Sequence, residues 1–286
     1  MATDTEQTFD VKAFALELRE DIEKNRIKLP TLPAISLEAL LVVNDAGSSM
    51  ADVARIISKD TSMAARLVRY ANSPLYSGIN KVTSVKTAIT RIGFDAVKHA
   101  ILSLAMKDVF TSAYKPIQER MESLWAHSVK VASIATMLAT RFTHLNKDEA
   151  MLAGLIHDVG AIPILIKAKD YPALTDNEKN LDKVIHALHM LIGKLLLQHW
   201  NFDKTLIAVA ATHDKLDRKP ASDKVDYVDI IQVANILSYE GSGHQYSDID
   251  YYRLPAFKRV GREVVDSILS NAEAKQTEMQ ISSSLY

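Results

Sequence analysis

The chain contains no cysteine. That absence excludes disulfide frameworks, thiolate zinc sites, iron–sulfur clusters and cysteine nucleophiles, and it leaves only nitrogen and oxygen ligands for any metal. Glycine is scarce, 9 of 286 residues, and no Asn-Gly or Asp-Gly pair marks a two-residue hairpin, which argues against a β-sandwich or barrel. Long apolar runs are missing too. Stretches such as 151–156 fall far short of the ~20 residues that span a bilayer. Residues 1–10 have neither a basic start nor an apolar core and do not read as a signal peptide, so a cytoplasmic protein without membrane attachment is expected. With 34 basic and 35 acidic side chains, no general field draws the chain to nucleic acid or anionic lipid.

What recurs instead is apolar spacing of three and four residues behind capping side chains, the pattern of amphipathic helices. The expected fold class is all-α, in two lobes. Phe14, Leu18 and Ile22 mark a leading helix of the first lobe, and Leu29-Pro30-Thr31-Leu32-Pro33 forces an extended connector. Helices follow at about 34–44, 50–58, 61–72, 85–92 and 95–110, with Asp60, Ser84 and Asp95 as N-caps and Gly93 dividing the last two. The lobes meet near 112–116. The second carries helices at about 116–142, 147–159, 180–200, 204–214 and 226–239, and a Pro255-led helix to about 275. Asn146 and Glu149 form a capping-box pattern. The serine-rich tail after Gln276 is expected to fray.

Nine histidines stand at 99, 127, 144, 157, 186, 189, 199, 213 and 244. By helical phase His127 shares a stripe with Leu124, Val131 and Ile134, His189 with Ile185, Ile192 and Leu196, and His213 with Leu206, Val209 and Ala210. His157 follows Ala150, Ala153 and Gly154, and with Asp158 it closes an apolar helix at the end where the macrodipole favours a cation. Imidazole and carboxylate ligands suit iron, manganese, nickel or zinc, and such an ion can acidify water and orient a phosphoryl group. A single inward histidine is ordinarily a core residue bonded to a backbone carbonyl; four on separate helices leave a shared site and four core positions both open.

Other signatures are excluded. Gly193-Lys194 lacks the glycine five residues earlier that a phosphate loop needs, and neither a dinucleotide-binding glycine motif nor a nucleophile elbow occurs. Arg66, Arg69, Lys81, Lys86, Arg91 and Lys98 lack interleaved aromatics, so they read as a solvated helix face and nucleic-acid binding stays a minor option. Trp125 and Trp200 read as core anchors.

Several segments, in order, carry a family likeness. In the first lobe they are Leu29-Pro30-Thr31-Leu32-Pro33, Ile57-Ser58-Lys59-Asp60, Arg66-Leu67-Val68-Arg69-Tyr70-Ala71-Asn72-Ser73, and Ala88-Ile89 with Ile92-Gly93. In the second they are Leu124-Trp125-Ala126-His127-Ser128, Ala153-Gly154-Leu155-Ile156-His157-Asp158-Val159-Gly160, and 189–200 followed by His213. Over about 28–241 the chain resembles the HDOD family, a signalling-associated branch of the HD phosphohydrolase superfamily. The resemblance implies an all-helical fold in two sub-lobes, with a lead at 1–28, an HDOD domain at 29–241 divided at about 29–112 and 113–241, and a C-terminal helix and tail at 242–286. A stand-alone version is expected, because the flanks are too short for another domain.

The likeness also implies a bacterial regulatory module acting through a signalling protein partner or a nucleotide ligand. Its alternative is a metal-dependent phosphohydrolase acting on a nucleotide or cyclic dinucleotide. Carried over from active relatives, the metal ligands would be His127, His157, Asp158, His189 and His213, with His157 and Asp158 the catalytic pair if the site is active. The ion would be Fe, Mn, Ni, Zn or Mg. Two departures point to a degenerate site: Asp214 stands where phosphodiesterase relatives have a second histidine, and Asn235 replaces the closing aspartate. Their Gly-Tyr-Pro segment is also absent. Asp214 and Asn235 remain ligand candidates, and Asp226 or Asp229 could reach the site.

Overall fold

The computed structural model describes residues 9–286 except 25, 27–31, 46, 77, 79, 221, 241–248 and 270–271. Helices and short 3-10 turns make up the regular structure, with no strand among the described residues. The first lobe holds α2 (Ala34–Asn44), α3 (Met50–Ile57), α4 (Thr61–Ala71), α5 (Val85–Ile92) and α6 (Phe94–Met106). Asp60 and Ser84 cap α4 and α5 as expected, each side chain accepting a backbone N–H two or three residues into its helix. Asp95 is not a cap: α6 starts at Phe94, and Gly93, at φ 93°, takes the cap position in a conformation open to glycine. Of the proline-rich connector only Leu32 and Pro33 lie within the described residues.

The second lobe is built on α7 (Lys115–Ala139) and α8 (Lys147–Ile156), followed by α9 (Ala161–Ala168), the single turn α10 (Pro172–Thr175), α11 (Glu178–His199), α12 (Lys204–Thr212) and α13 (Tyr227–Ser238). Asn146 caps α8 by accepting from Asp148 N and Glu149 N. The capping box is not closed by Glu149; the Asn146 N–H donates instead to the Tyr227 hydroxyl at 2.8 Å. The stretch Lys147–Ala168 has the length and apolarity of a membrane span, but 83% of its most apolar window is buried inside the fold, where it forms the centre of the lobe.

Three further expectations are corrected. The leading helix α1 (Val11–Glu23) packs on α9 and α11 of the second lobe rather than on the first. Phe14, Leu18 and Ile22 are buried there, and Lys167 of α9 donates to Glu17 (2.7 Å) and Asp21 (2.6 Å). The Pro255-led helix breaks at Gly261 into α14 (Pro255–Val260) and α15 (Arg262–Leu269). The tail does not fray: α16 (Ala272–Leu285) lies on α7 and α4, burying Ile281 and Leu285.

One apolar core runs through both lobes. At their seam Asp148, 2% exposed, accepts hydrogen bonds from the hydroxyls of Tyr70 (2.8 Å) and Tyr76. Burial, reinforced by the Asp148 charge, raises both phenol pKa values, so the tyrosines remain donors.

Candidate functional site

His127 lies midway along α7 and His189 within α11, while His157 and His213 each follow the last residue of their helix, α8 and α12. Two close backbone approaches bring these elements together. A Cβ on Gly154 would sit 2.4 Å from the Ala132 Cα, so glycine is what lets α8 press against α7. A Cβ on Gly160 would sit 2.0 Å from the His189 carbonyl oxygen, so the turn after Asp158 seats directly on α11.

The result is a cluster around one carboxylate. Asp158 Oδ2 lies 3.2 Å from His157 Nε2 and 3.7 Å from His127 Nε2. Asp158 Oδ1 lies 3.1 Å from His213 Nε2 and 3.6 Å from His189 Nε2. Asp214 stands beside the second pair, 3.4 Å from His189 Nε2 and 3.8 Å from His213 Nε2. Two groups, His127–His157–Asp158 and Asp158–His189–His213, thus have the spacing to hold metal ions, and they share Asp158.

The tautomers follow from the other ring nitrogens. His157 Nδ1 donates to Gly154 O (2.7 Å), His189 Nδ1 to Ile185 O (2.9 Å) and His213 Nδ1 to Val209 O (3.2 Å). A carbonyl only accepts, so in each neutral ring Nε2 carries a lone pair into the cluster. His189 and His213 therefore point lone pairs at each other across 3.2 Å, an arrangement that only a cation makes favourable, whether a proton or a metal. Metal–ligand bonds of about 2.0–2.2 Å place neighbouring ligands about 3 Å apart, which these separations match. Asn235 Nδ2 donates to Asp214 Oδ1 (3.3 Å), and its own buried Oδ1 has no hydrogen-bond partner among the described residues. An orphaned acceptor beside a carboxylate also fits a site made for a cation or an ordered water.

Electrostatics divide the histidines. Burial, assisted by His157, lowers His127 to about 4, keeping that ring neutral. Burial also opposes charge on His189, but the hydrogen bond to Asp214 and the charge of Asp158 outweigh it and carry its pKa to about 9. Burial likewise opposes ionisation of Asp158, yet His157 and His213 hold it well below the carboxylate range.

The cluster forms the floor of a cavity of about 620 Å³. His127, Asp158, His189, Asp214 and Asn235 line it, whereas His157 and His213 lie behind them. Sequence reasoning missed four rim residues, Arg120, Asp182, Lys183 and His186. Arg120 pairs with Asp182 across α7 and α11. Their signal was available: 120 is two turns before 127, and 183 and 186 share a face with 189. Tyr239 was also missed; its ring stacks on His127 at 4.9 Å. Asp226 and Asp229 do not reach the site. They form the capping box of α13, and Asp229 binds Arg218 and Arg259 at 2.8 Å each. His144 is bonded to Val225 O, and His244 lies outside the described residues.

The family model of the HDOD domain matches residues 29–216. Among solved structures, a candidate metal-dependent phosphohydrolase from Shewanella amazonensis SB2B superposes with a TM-score of 0.83 at 27% identity, over 96% of this chain and 99% of its own. An HDOD domain protein of unknown function from Geobacter sulfurreducens gives 0.71 at 24% identity, covering 97% and 99%. A candidate signal transduction protein from Marinobacter aquaeolei VT8 gives 0.65 at 17% identity, covering 98% of this chain and 67% of that one. No curated protein matches the chain.

Proposed function

This chain belongs to the HDOD family, and from that premise we propose that it is a signal-transduction module whose histidine–aspartate centre holds a divalent cation and binds the phosphoester of a nucleotide or cyclic dinucleotide. The observation that carries this reading is the convergence of four imidazoles on the shared Asp158 at the floor of an open cavity. The names given to the Shewanella and Marinobacter proteins agree with its two halves, metal and signalling. His127, His157, Asp158, His189 and His213 would hold the ion, with Asp214 beside them and Asn235 orienting Asp214 through its amide. The donor set suits Fe, Mn, Ni or Zn better than Mg, which prefers oxygen. A bound ion supplies Lewis acidity, neutralising phosphoryl charge and acidifying water. Lys183 and His186 at the rim meet the remaining anionic groups, and Arg120 stands beside them, held by Asp182. Output passes to a signalling protein partner through the helical surface, including the first lobe.

Turnover is a second reading, and Asp214 favours it. Its carboxylate borders the cavity next to His189 and can take a proton from an attacking water. The test is elemental analysis of untagged protein against Asp158→Ala, followed by a phosphoester panel. About one or two equivalents of transition metal, lost in the variant, with metal-dependent thermal stabilisation by a nucleotide, supports the binding module. Product formation that requires the metal promotes the second reading. Protein that stays metal-free after reconstitution sinks both.

A further inference from the structure

A second cavity, of about 420 Å³, opens at the seam between the lobes, away from the histidine cluster. Leu37, Leu40 and Leu41 of α2 form one wall, Leu102 of α6 forms the base, and Trp200 and Phe202 from the turn between α11 and α12 form the other wall. Leu41 is 74% exposed and Leu37 46%, so large apolar side chains stand in solvent at its mouth. The two aromatic rings sit 6.1 Å apart. Asn201 between them adopts φ 56°, the one left-handed non-glycine position among the described residues, and this conformation sends both neighbouring rings to the groove.

Charge narrows the occupant. Asp203 also lines the groove, with its Oδ1 accepting from Thr205 N and Leu206 N, so the N-terminus of α12 offsets its charge. Lys98 lines it too and makes no ion pair among the described residues. Next to it, burial lowers the pKa of His99, leaving a neutral ring. The groove therefore offers apolar walls and the Lys98 ammonium, which has no ion pair among the described residues, in a volume typical of small-molecule sites.

We propose that this seam is a second ligand site, which binds an amphiphile with an apolar chain and a single carboxylate, the chain lying between the α2 leucines and Trp200 and the carboxylate meeting Lys98. It requires no metal and does not depend on the function proposed for the histidine cluster.

The probe is decanoate, kept below its micellar range and titrated against full-length protein, with decanol as the uncharged control. Binding is read by calorimetry and by tryptophan fluorescence. Saturable decanoate binding stronger than decanol binding is expected, with the fluorescence change lost in Trp200→Phe, where Trp125 alone remains. Lys98→Ala should weaken decanoate by about fivefold and leave decanol within about twofold. Leu41→Glu, a change at an exposed position, should weaken both. Absence of saturable binding overturns the proposal, as does equal affinity for decanoate and decanol. A concentration-dependent dimer that dissociates in Leu41→Glu also overturns it, by giving the groove to a second copy of the chain.

Discussion

Two clusters of buried charge lie at opposite ends of α13, and they are built on different logic. At its N-terminal end Asp229 faces two guanidinium groups, and the Asp226–Asp229 capping box satisfies the first turn of the helix. Every negative group meets a donor. At the C-terminal end, near Asn235 and Tyr239, imidazole nitrogens converge on one another and on Asp158, and the Asn235 oxygen has no partner among the described residues. In the first cluster every carboxylate is met by protein donors, and only Arg218 Nε lacks an acceptor among the described residues. The second is completed by a cation, the proton of His189 or a metal ion, which separates a group that holds a fold from one with the spacing to take an ion.

The sharpest way to break this contrast is to remove the acid from the closed cluster. Asp229→Ala leaves Arg259 without a carboxylate and Arg218 with Asp226 alone, and it removes the Asp229 half of the α13 capping box, so a loss of about 3–5 kcal/mol in chemical denaturation is expected. Gly160→Ala attacks the open cluster through its scaffold. The added methyl meets the His189 carbonyl and Gly193 N, which should cost about 3 kcal/mol and lower metal affinity by displacing α11. If either variant melts like the wild type, the corresponding cluster is not the tight assembly described.

Metal loading should then separate the two. A divalent transition metal at a hundredfold excess over Kd should stabilise the wild type by about 2.7 kcal/mol. Asp229→Ala should retain that increment and Asp158→Ala should lose it, as read by the shift in melting temperature. A smaller effect comes from pH. The His189 pKa is raised to about 9, so its proton stabilises the metal-free fold fully below the ordinary histidine value of about 6.5, and that contribution disappears as pH climbs through about 9. An entering metal displaces the proton, so its affinity should rise with pH by about tenfold per unit towards 9. Metal titrations between pH 6 and 8 check the slope, and a flat profile would contradict the protonation assigned to His189. Smallest is Lys183→Glu at the cavity rim, expected to weaken a phosphoester ligand by about threefold without changing metal content.

How much of this was legible beforehand depended on the kind of signal. Helices with one buried face, such as that carrying Phe14, Leu18 and Ile22, are legible because their period is visible. The eight residues of α9 are not: nearly all are buried, so no polar face marks a period. The tail misled through its three serines, although Ile281 and Leu285, four apart, carry the helix and Ser133 meets Ser282 at 3.1 Å. At the site, helical phase identified the four inward histidines but not their meeting. Convergence depends on glycine contacts between α8 and α7 and between the 157–160 turn and α11, pairs of positions that no local pattern links. Asp226 and Asp229 enter as site candidates only through the family resemblance, and it is the distant Arg259 that takes one of them away. The partner of α1 was equally hidden, because amphipathicity declares that a face will be covered without saying by what.

The seam carboxylate Asp148 has a consequence for how the molecule comes apart. Lobes joined by apolar contact alone can open one at a time, each with its own free energy of local unfolding. Here, detaching the first lobe withdraws Tyr70 and Tyr76 from a carboxylate that is 2% exposed, so partial opening is penalised as heavily as breaking a core hydrogen-bond network. Hydrogen exchange and melting are therefore expected to report the two lobes as one cooperative unit, so that any displacement between them is a tilt or shift of joined bodies rather than the release of one from the other.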